Sequence, residues 1–142
     1  MARIVHKQAC AIPCRIYGGR LEVCLVTTRQ KGHWVSPKGY IEPGETETGA
    51  ALKEAWEEAG IRGRIVGDAV GTYERVKLGE VRRVVCFLMM VAQSRRSWKE
   101  SELRERRWMS ADDALIELNH SQQRAMLAAV LKRLERRRSR AG

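Results

Sequence analysis

The sequence predicts an α+β fold, a mixed β-sheet with few helices, and three observations predict it. Apolar stretches of strand length recur along most of the chain, separated by turns marked with Gly or Pro. Residues 48–59 carry a helical pattern, with Gly60 just past its end as the residue that tolerates a left-handed cap. Leu127, Leu131 and Leu134 mark one face of a closing amphipathic helix over residues 121–137.

Taken in order, residues 8–17 form an apolar run that ends at Gly18 and Gly19, a turn signal. Residues 21–28, "LEVCLVTT", are β-branched and apolar and read as its hairpin partner. "RQKGHW" is a polar loop, and "WVSPKGYIEPGE" holds short extended segments joined by turns. Beyond the helix, residues 64–66, 71–77 and 81–92 read as strands. The last is apolar on both faces through "VVCFLMMV" and is expected to be central. "ERRWMS" leads to Ser110, an N-cap candidate before "ADDALIEL".

A length of 142 residues fits one domain, 1–142, with an arginine-dense helix end at about residues 135–142. The hydrophobic fraction of 44% and the charged fraction of 31% suit a water-soluble globular protein. No apolar run reaches the roughly 18 residues that a membrane span needs, and no secretory signal is read at the N-terminus. Cys10, Cys14, Cys24 and Cys86 lie in strand-like runs without the paired spacing of a zinc site, so buried reduced thiols in a cytoplasmic protein are expected. The formal net charge of +10 favours anionic partners such as nucleotides, polyphosphates, nucleic acid or an acidic surface.

Against that charge, Glu54, Glu57 and Glu58 crowd into "KEAWEEAG". At about 100° per residue, Ala51, Leu52, Ala55, Trp56 and Ala59 share one arc, and the three glutamates fall on the opposite side. Like charges at i, i+3 and i+4 weaken a bare helix by a few tenths of a kcal/mol per pair. A hard divalent cation, Mg²⁺ or Mn²⁺, would reverse that sign, because such ions take carboxylate oxygens and water.

Gly39, Glu45, Glu54, Glu57, Glu58, Gly60 and Ile61 fall at the spacing G-x5-E-x7-R-E-U-x-E-E-x-G-U. In this the chain resembles the Nudix hydrolases, and the order of elements extends the resemblance over nearly the full length. With each fixed Gly or Glu about 7% frequent, six together arise by chance about once in 10⁷ placements. Lys53 replaces the signature arginine and Ala55 the aliphatic residue. Lysine keeps the charge without the bidentate fork, which loosens the hold on the glutamates. The resemblance implies an α/β/α sandwich, its mixed sheet held between the signature helix and the C-terminal helices. It also implies hydrolysis of a pyrophosphate linkage, with Mg²⁺ or Mn²⁺ held by Glu54, Glu57, Glu58 and the backbone carbonyl of Lys38. One glutamate of the trio would act as base, and the sequence does not single it out. Gly39, Glu45, Lys53 and Gly60 would support the site.

"HWVSPKGYIEPGE" and "SWKESELRERRW" are similar to segments of the branch acting on dinucleoside polyphosphates or diphosphoinositol polyphosphates. Arg29, Lys38, Arg82 and Arg83 are candidates for binding phosphates of such an anionic small molecule. Arg82 and Arg83 are adjacent, so on a strand only one of them can face the cleft. Trp34 is a candidate for stacking on a base, against a core role. Two enzyme readings compete: a nucleoside-triphosphate hydrolase, or an enzyme that trims the 5′ end of RNA with the help of the basic helix. The second lacks an RNA-recognition motif, so nucleic acid is not the favoured partner. A domain that binds a phosphorylated ligand without cleaving it is the reading of another class. Oligomeric state is not legible.

Overall fold

The computed structural model describes residues 3–30 and 32–141, the side chain of Ala141 excepted. Residues 9–14 are buried on both faces, which is what a strand in the middle of a covered sheet requires. This strand, β1 (Val5–Tyr17), turns through Gly18 and Gly19, both at positive φ, into its antiparallel partner β2 (Arg20–Thr27). Two short strands, β3 (Trp34–Val35) and β4 (Lys38–Tyr40), pair with β2 and β1. Helix α1 (Glu47–Ala59) follows, then β5 (Ile61–Ile65), β6 (Gly71–Lys77), β7 (Glu80–Ser94), β8 (Arg106–Ser110), α2 (Ala111–Glu117) and α3 (Ser121–Ala141).

The strand order is β3-β2-β1-β7-β5, with β4 on β1, β6 on β7 and β8 on β2. The β1–β7 pair is parallel and its neighbours are antiparallel, so the sheet is mixed. As expected, β7 is central, and it runs from Glu80 to Ser94. Pro13, which has no N–H to give, falls where β1 changes partner from β4 to β2.

Alternation along β1 and β7 sorts the core into two layers. Ala9, Ala11, Cys24, Val26, Phe87 and Met89 face α1 and its alanines. Cys10, Ile12, Leu25, Val84, Cys86 and Leu88 face Ala114, Leu127 and Val130 of α2 and α3. The result is helix–sheet–helix: the α+β class read from the sequence pattern, in the α/β/α sandwich that the Nudix resemblance implies. Ala51, Ala55 and Ala59 are fully buried, and their small side chains let α1 lie close to the sheet.

The caps are local sequence chemistry. The Thr46 hydroxyl accepts from the N–H of Gly49 at 3.0 Å and starts α1. Gly60 ends it at φ 65°, where its N–H reaches the carbonyls of Ala55 and Trp56. Ser110 caps α2 through the N–H of Asp113 at 3.1 Å. Helix α3 continues to Ala141, beyond the end expected at 137, although its last core contact is Leu134. Of the basic end at 135–142, residues 135–140 are exposed and Gly142 lies outside the described residues.

Candidate active site

Strand β4 lies across the first half of β1, with Gly39 opposite Ala9 and Lys38 opposite Cys10. This register turns Gly39 toward α1. A Cβ there would press into the Glu54 carboxyl group and come within 2.8 Å of its Cγ. Only glycine permits this approach without displacing Glu54, which accounts for the residue type at that position. The N–H of Lys38 donates to Oε1 of Glu58 at 3.4 Å.

The expectation that all three glutamates project away from the core needs correction at Glu58, which is 4% exposed. The far side of α1 is covered by the segment between β7 and β8, residues 95–105. The Trp98 indole N–H donates to the Glu58 carbonyl at 2.8 Å, and the N–H of Glu100 donates to the Glu57 carbonyl at 3.2 Å. The Arg106 guanidinium donates to the Ala59 carbonyl at 2.6 Å. The last turn of α1 has no basic residue of its own, so its orphan carbonyls are satisfied by donors 40 or more positions away. Gly60 belongs to the same contact, since a Cβ there would meet Trp98 Cβ at 2.7 Å.

Arg104 ties this segment to the glutamates. Its Nε donates to Glu100 at 2.8 Å, one amino group donates to the Thr27 carbonyl at 3.0 Å, and the other stands 3.9 Å from Glu58 Oε2. Sequence reasoning did not single out Trp98, Glu100 or Arg104. The segment "SWKESELRERRW" was visible, but nothing local shows that it folds over α1.

Burial pushes the Glu58 carboxyl up to about 9, against the pull of Arg104 and with Glu54 and Glu100 adding repulsion. Glu54 is raised too, first by burial, with its hydrogen bond to Glu58 opposing. Lys53, at the position of the signature arginine, reaches Glu45 at 2.8 Å and stands 3.9 Å from Glu54. The Glu45 carboxylate also accepts the N–H of Glu42 at 2.8 Å and is held below its ordinary range by Lys53, then by Glu42. Glu45 and Lys53 thus brace the entry to α1 from one side. Glu57 is the most open of the trio and has Lys99 at 3.6 Å.

Buried Glu58 and half-buried Glu54 share a hydrogen bond, and their nearest cations stand 3.9 Å away. Their oxygens are the hard donors that Mg²⁺ or Mn²⁺ takes, so the residues fit such an ion. Among the described residues no three carboxylate, histidine or cysteine side chains already converge on one point. Glu57 would have to leave Lys99 to join the other two.

The candidate phosphate ligands separate. Lys38 points its side chain to the α3 face, where Nζ lies 3.5 Å from Gln8 Oε1. Arg82 shares that face with Val84 and Cys86, whereas Arg83 faces the other way and is paired with Glu74 at 2.6 Å. Arg29 is exposed in the loop after β2, and no described contact joins it to the glutamates. Trp34 packs against the α2–α3 core layer with the Arg107 guanidinium 4.9 Å from its ring, on the sheet face away from α1. Ser36 is buried, its N–H held by Gln123, which in turn donates to Tyr73 at 3.1 Å.

A glycine that admits a glutamate, a helix carrying the trio and a left-handed cap thus stand at the spacing of the Nudix signature. The NUDIX domain model matches residues 7–130, and the chain belongs to the Nudix family. It is 34% identical over 119 residues to Nudix hydrolase 21, chloroplastic, of Arabidopsis thaliana, covering 82% of this chain and 60% of that protein. It is also 34% identical over 97 residues to diphosphoinositol polyphosphate phosphohydrolase 3-alpha of Mus musculus, covering 66% of this chain and 58% of that protein. The chain therefore spans 58% to 60% of the length of these relatives. Among solved structures, the C. elegans Ap4A hydrolase superposes with a TM-score of 0.76 at 26% identity, covering 92% of this chain and 99% of that one.

Proposed function

We propose that this chain is a divalent-cation-dependent hydrolase that cleaves a pyrophosphate linkage in a polyphosphorylated small molecule. The observation that carries the reading is the burial of Glu58 against Glu54 at the Gly39 approach, which costs stability unless a cation joins them. Glu54, Glu57, Glu58 and the Lys38 carbonyl would hold Mg²⁺ or Mn²⁺. Bound there, the ion would neutralise phosphate charge and lower the pKa of a coordinated water.

The chain's own residues supply position and proton transfer. Gly39 fixes the Glu54 carboxylate, and the Lys38 N–H with Arg104 fixes that of Glu58. One glutamate of the trio would take the proton of an attacking water, and Glu57 is the most open of them. In-line attack on one phosphorus then expels the other phosphate as the leaving group.

The finer reading is a substrate of the dinucleoside polyphosphate or diphosphoinositol polyphosphate type, supported by the activities for which the relatives are named and by the net charge of +10. The four cysteines are free and buried, and burial raises Cys14 and Cys24 to about 12, which makes them poor nucleophiles and leaves the chemistry to the carboxylates. No helix is long and apolar enough to cross a membrane among the described residues.

The experiment is a screen with Mg²⁺ and Mn²⁺ over dinucleoside polyphosphates, diphosphoinositols, nucleoside triphosphates, 5′-triphosphorylated RNA and nucleotide sugars, with Glu57→Gln as control. Phosphate release that requires metal and is lost in the variant supports the reading. Ligand-induced thermal shifts without turnover of any substrate would replace it with a binding module.

A further inference from the structure

The arginine-dense end of α3 takes no part in the glutamate site. Residues 132–140, "KRLERRRSR", hold six cations and one acid, so this short stretch carries half of the formal net charge of +10. The helix is fixed to the body of the protein along the part that comes before. Gln122 donates to the Glu74 carbonyl at 2.9 Å, and Arg133 donates to the carbonyls of Asp68 at 2.7 Å and Ala69 at 3.2 Å. Helix α3 therefore runs back along β6 and past the β5–β6 connection. Arg136 lies about 20 Å along it from Gln123, which holds the Ser36 N–H beside β4.

Helical geometry shows where the core stripe ends. Leu127, Val130, Leu131 and Leu134 share an arc of about 100° and pack in the layer between α3 and the sheet. The next position on that arc is Arg138, and residues 135–140 are all exposed. An arginine stands where the next core side chain would be, so no apolar contact holds the helix from there on.

The cations form a stripe of their own. Lys132, Arg136 and Arg140 fall at i, i+4 and i+8, with Arg137 beside them, all within about 140°. Like charges at i and i+4 weaken a helix. Among the described residues none of Lys132, Arg136, Arg137, Arg138 and Arg140 has an ion-pair partner. The negative end of the helix dipole accounts for Arg138 and Arg140 in the last turn. It does not account for Lys132 and Arg136, which stand earlier.

Such a stripe is complementary to a regular array of phosphates. An acidic bilayer is the weaker match, because an interfacial helix holds on through an apolar face, and here that face is buried in the core. Single strands are held by stacking on aromatic side chains, and α3 has none. Duplex DNA needs neither. It sets one charge every ~1.7 Å of axis, and its major groove, about 12 Å wide, admits a helix about 10–12 Å across. The stripe and Arg138, on another side of the helix, would meet phosphates of both groove walls. In duplex RNA the same groove is deep and narrow. Contact with phosphates positions a protein without reading sequence, so no recognition motif is required.

We propose that the exposed end of α3, Lys132 with Arg136, Arg137, Arg138 and Arg140, is a docking surface for the phosphate backbone of double-stranded DNA. The sheet separates it from α1, and it does not rest on the hydrolase reading.

The test compares the full chain with a variant carrying Arg136→Gln, Arg137→Gln, Arg138→Gln and Arg140→Gln. Fluorescence anisotropy with a labelled DNA duplex of about 20 base pairs is followed from ~50 to ~200 mM salt. At ~0.9 per phosphate contact, the slope of log affinity on log salt should be about −4.5 for the wild type and about −1 for the variant. At ~50 mM salt the variant should bind at least ~100-fold more weakly. Glutamine forms helices about as well as arginine and removes the like-charge pairs, so the variant should melt no lower than the wild type. Its metal-dependent hydrolysis should be unchanged. Arg136→Gln alone should reduce the slope by about one, and it carries the test if the fourfold variant does not fold. No binding by the wild type at ~50 mM salt, or equal slopes for wild type and variants, would overturn the docking surface. So would tighter binding to phosphatidylserine vesicles, single-stranded DNA or duplex RNA than to duplex DNA. A variant that melts lower and binds the duplex as tightly as the wild type would also overturn it, leaving the arginines a role within the helix.

Discussion

Replacing Glu58 by Gln should make the metal-free protein more stable while removing its activity. Glu58 is 4% exposed, and its carboxyl is raised from 4.5 to about 9, chiefly by burial. A raised acid holds its proton more tightly in the fold than in the unfolded chain. The stabilising contribution of this one group is therefore complete below about 4.5 and is lost as pH rises toward 9. At pH 7.5 the difference from the unfolded value spans about three pH units, worth about 4 kcal/mol at 1.36 kcal/mol per unit. An amide keeps Oε1 for the Lys38 N–H and carries no charge to desolvate. Thermal melts in EDTA at pH 7.5 should show Glu58→Gln at least ~5 °C above the wild type, with the gap closing as pH falls to 4.5. Added Mg²⁺ should raise the wild type and leave the variant in place, and hydrolysis by the variant should drop at least ~100-fold. A variant that melts lower in EDTA at pH 7.5, or a gap that does not depend on pH, would refute the account of Glu58 as a desolvated carboxyl group that gives up its proton to a cation.

Gly60→Ala places a side chain at φ 65° and against Trp98, so urea unfolding should show a loss of about 1–3 kcal/mol. Activity should fall with it, because Trp98 caps the turn that carries Glu58. Lys53→Arg should keep or raise kcat, since a guanidinium can reach Glu45 and Glu54 together; an inactive variant would mean the site has adapted to lysine. Arg104→Gln releases Glu100, Thr27 and Glu58 at once and should weaken Mn²⁺ binding 10–100-fold in a substrate-free titration, with Arg104→Lys recovering only part of it.

Much of the fold was legible because its strands are covered on both faces and read as continuous apolar runs, with turns at Gly18–Gly19 and caps at Gly60 and Ser110. The glycines of the signature were legible as fixed points, and the structure supplies the reason: Gly39 makes room for Glu54 and Gly60 for Trp98. What failed was the environment of Glu58. Helical geometry correctly opposes it to the alanines, but whether the other side is solvent depends on a segment some 40 residues later in the chain. The choice between Arg82 and Arg83 could not be made from adjacency either. It depends on which parity of β7 faces α3, a question of tertiary packing. The arginines at the end of α3 fit a frayed end as well as a continued helix, and the helix continues.

The central claim is that the crowded glutamates of α1 are held together by a divalent cation. Crystals grown in Mn²⁺ test it most directly, through the anomalous difference map. A peak within ~2.3 Å of oxygens from Glu54, Glu57 and Glu58, with the Lys38 carbonyl completing the set, is the predicted result. Manganese elsewhere in the map, with Glu58 still buried and no peak beside it, would contradict the claim.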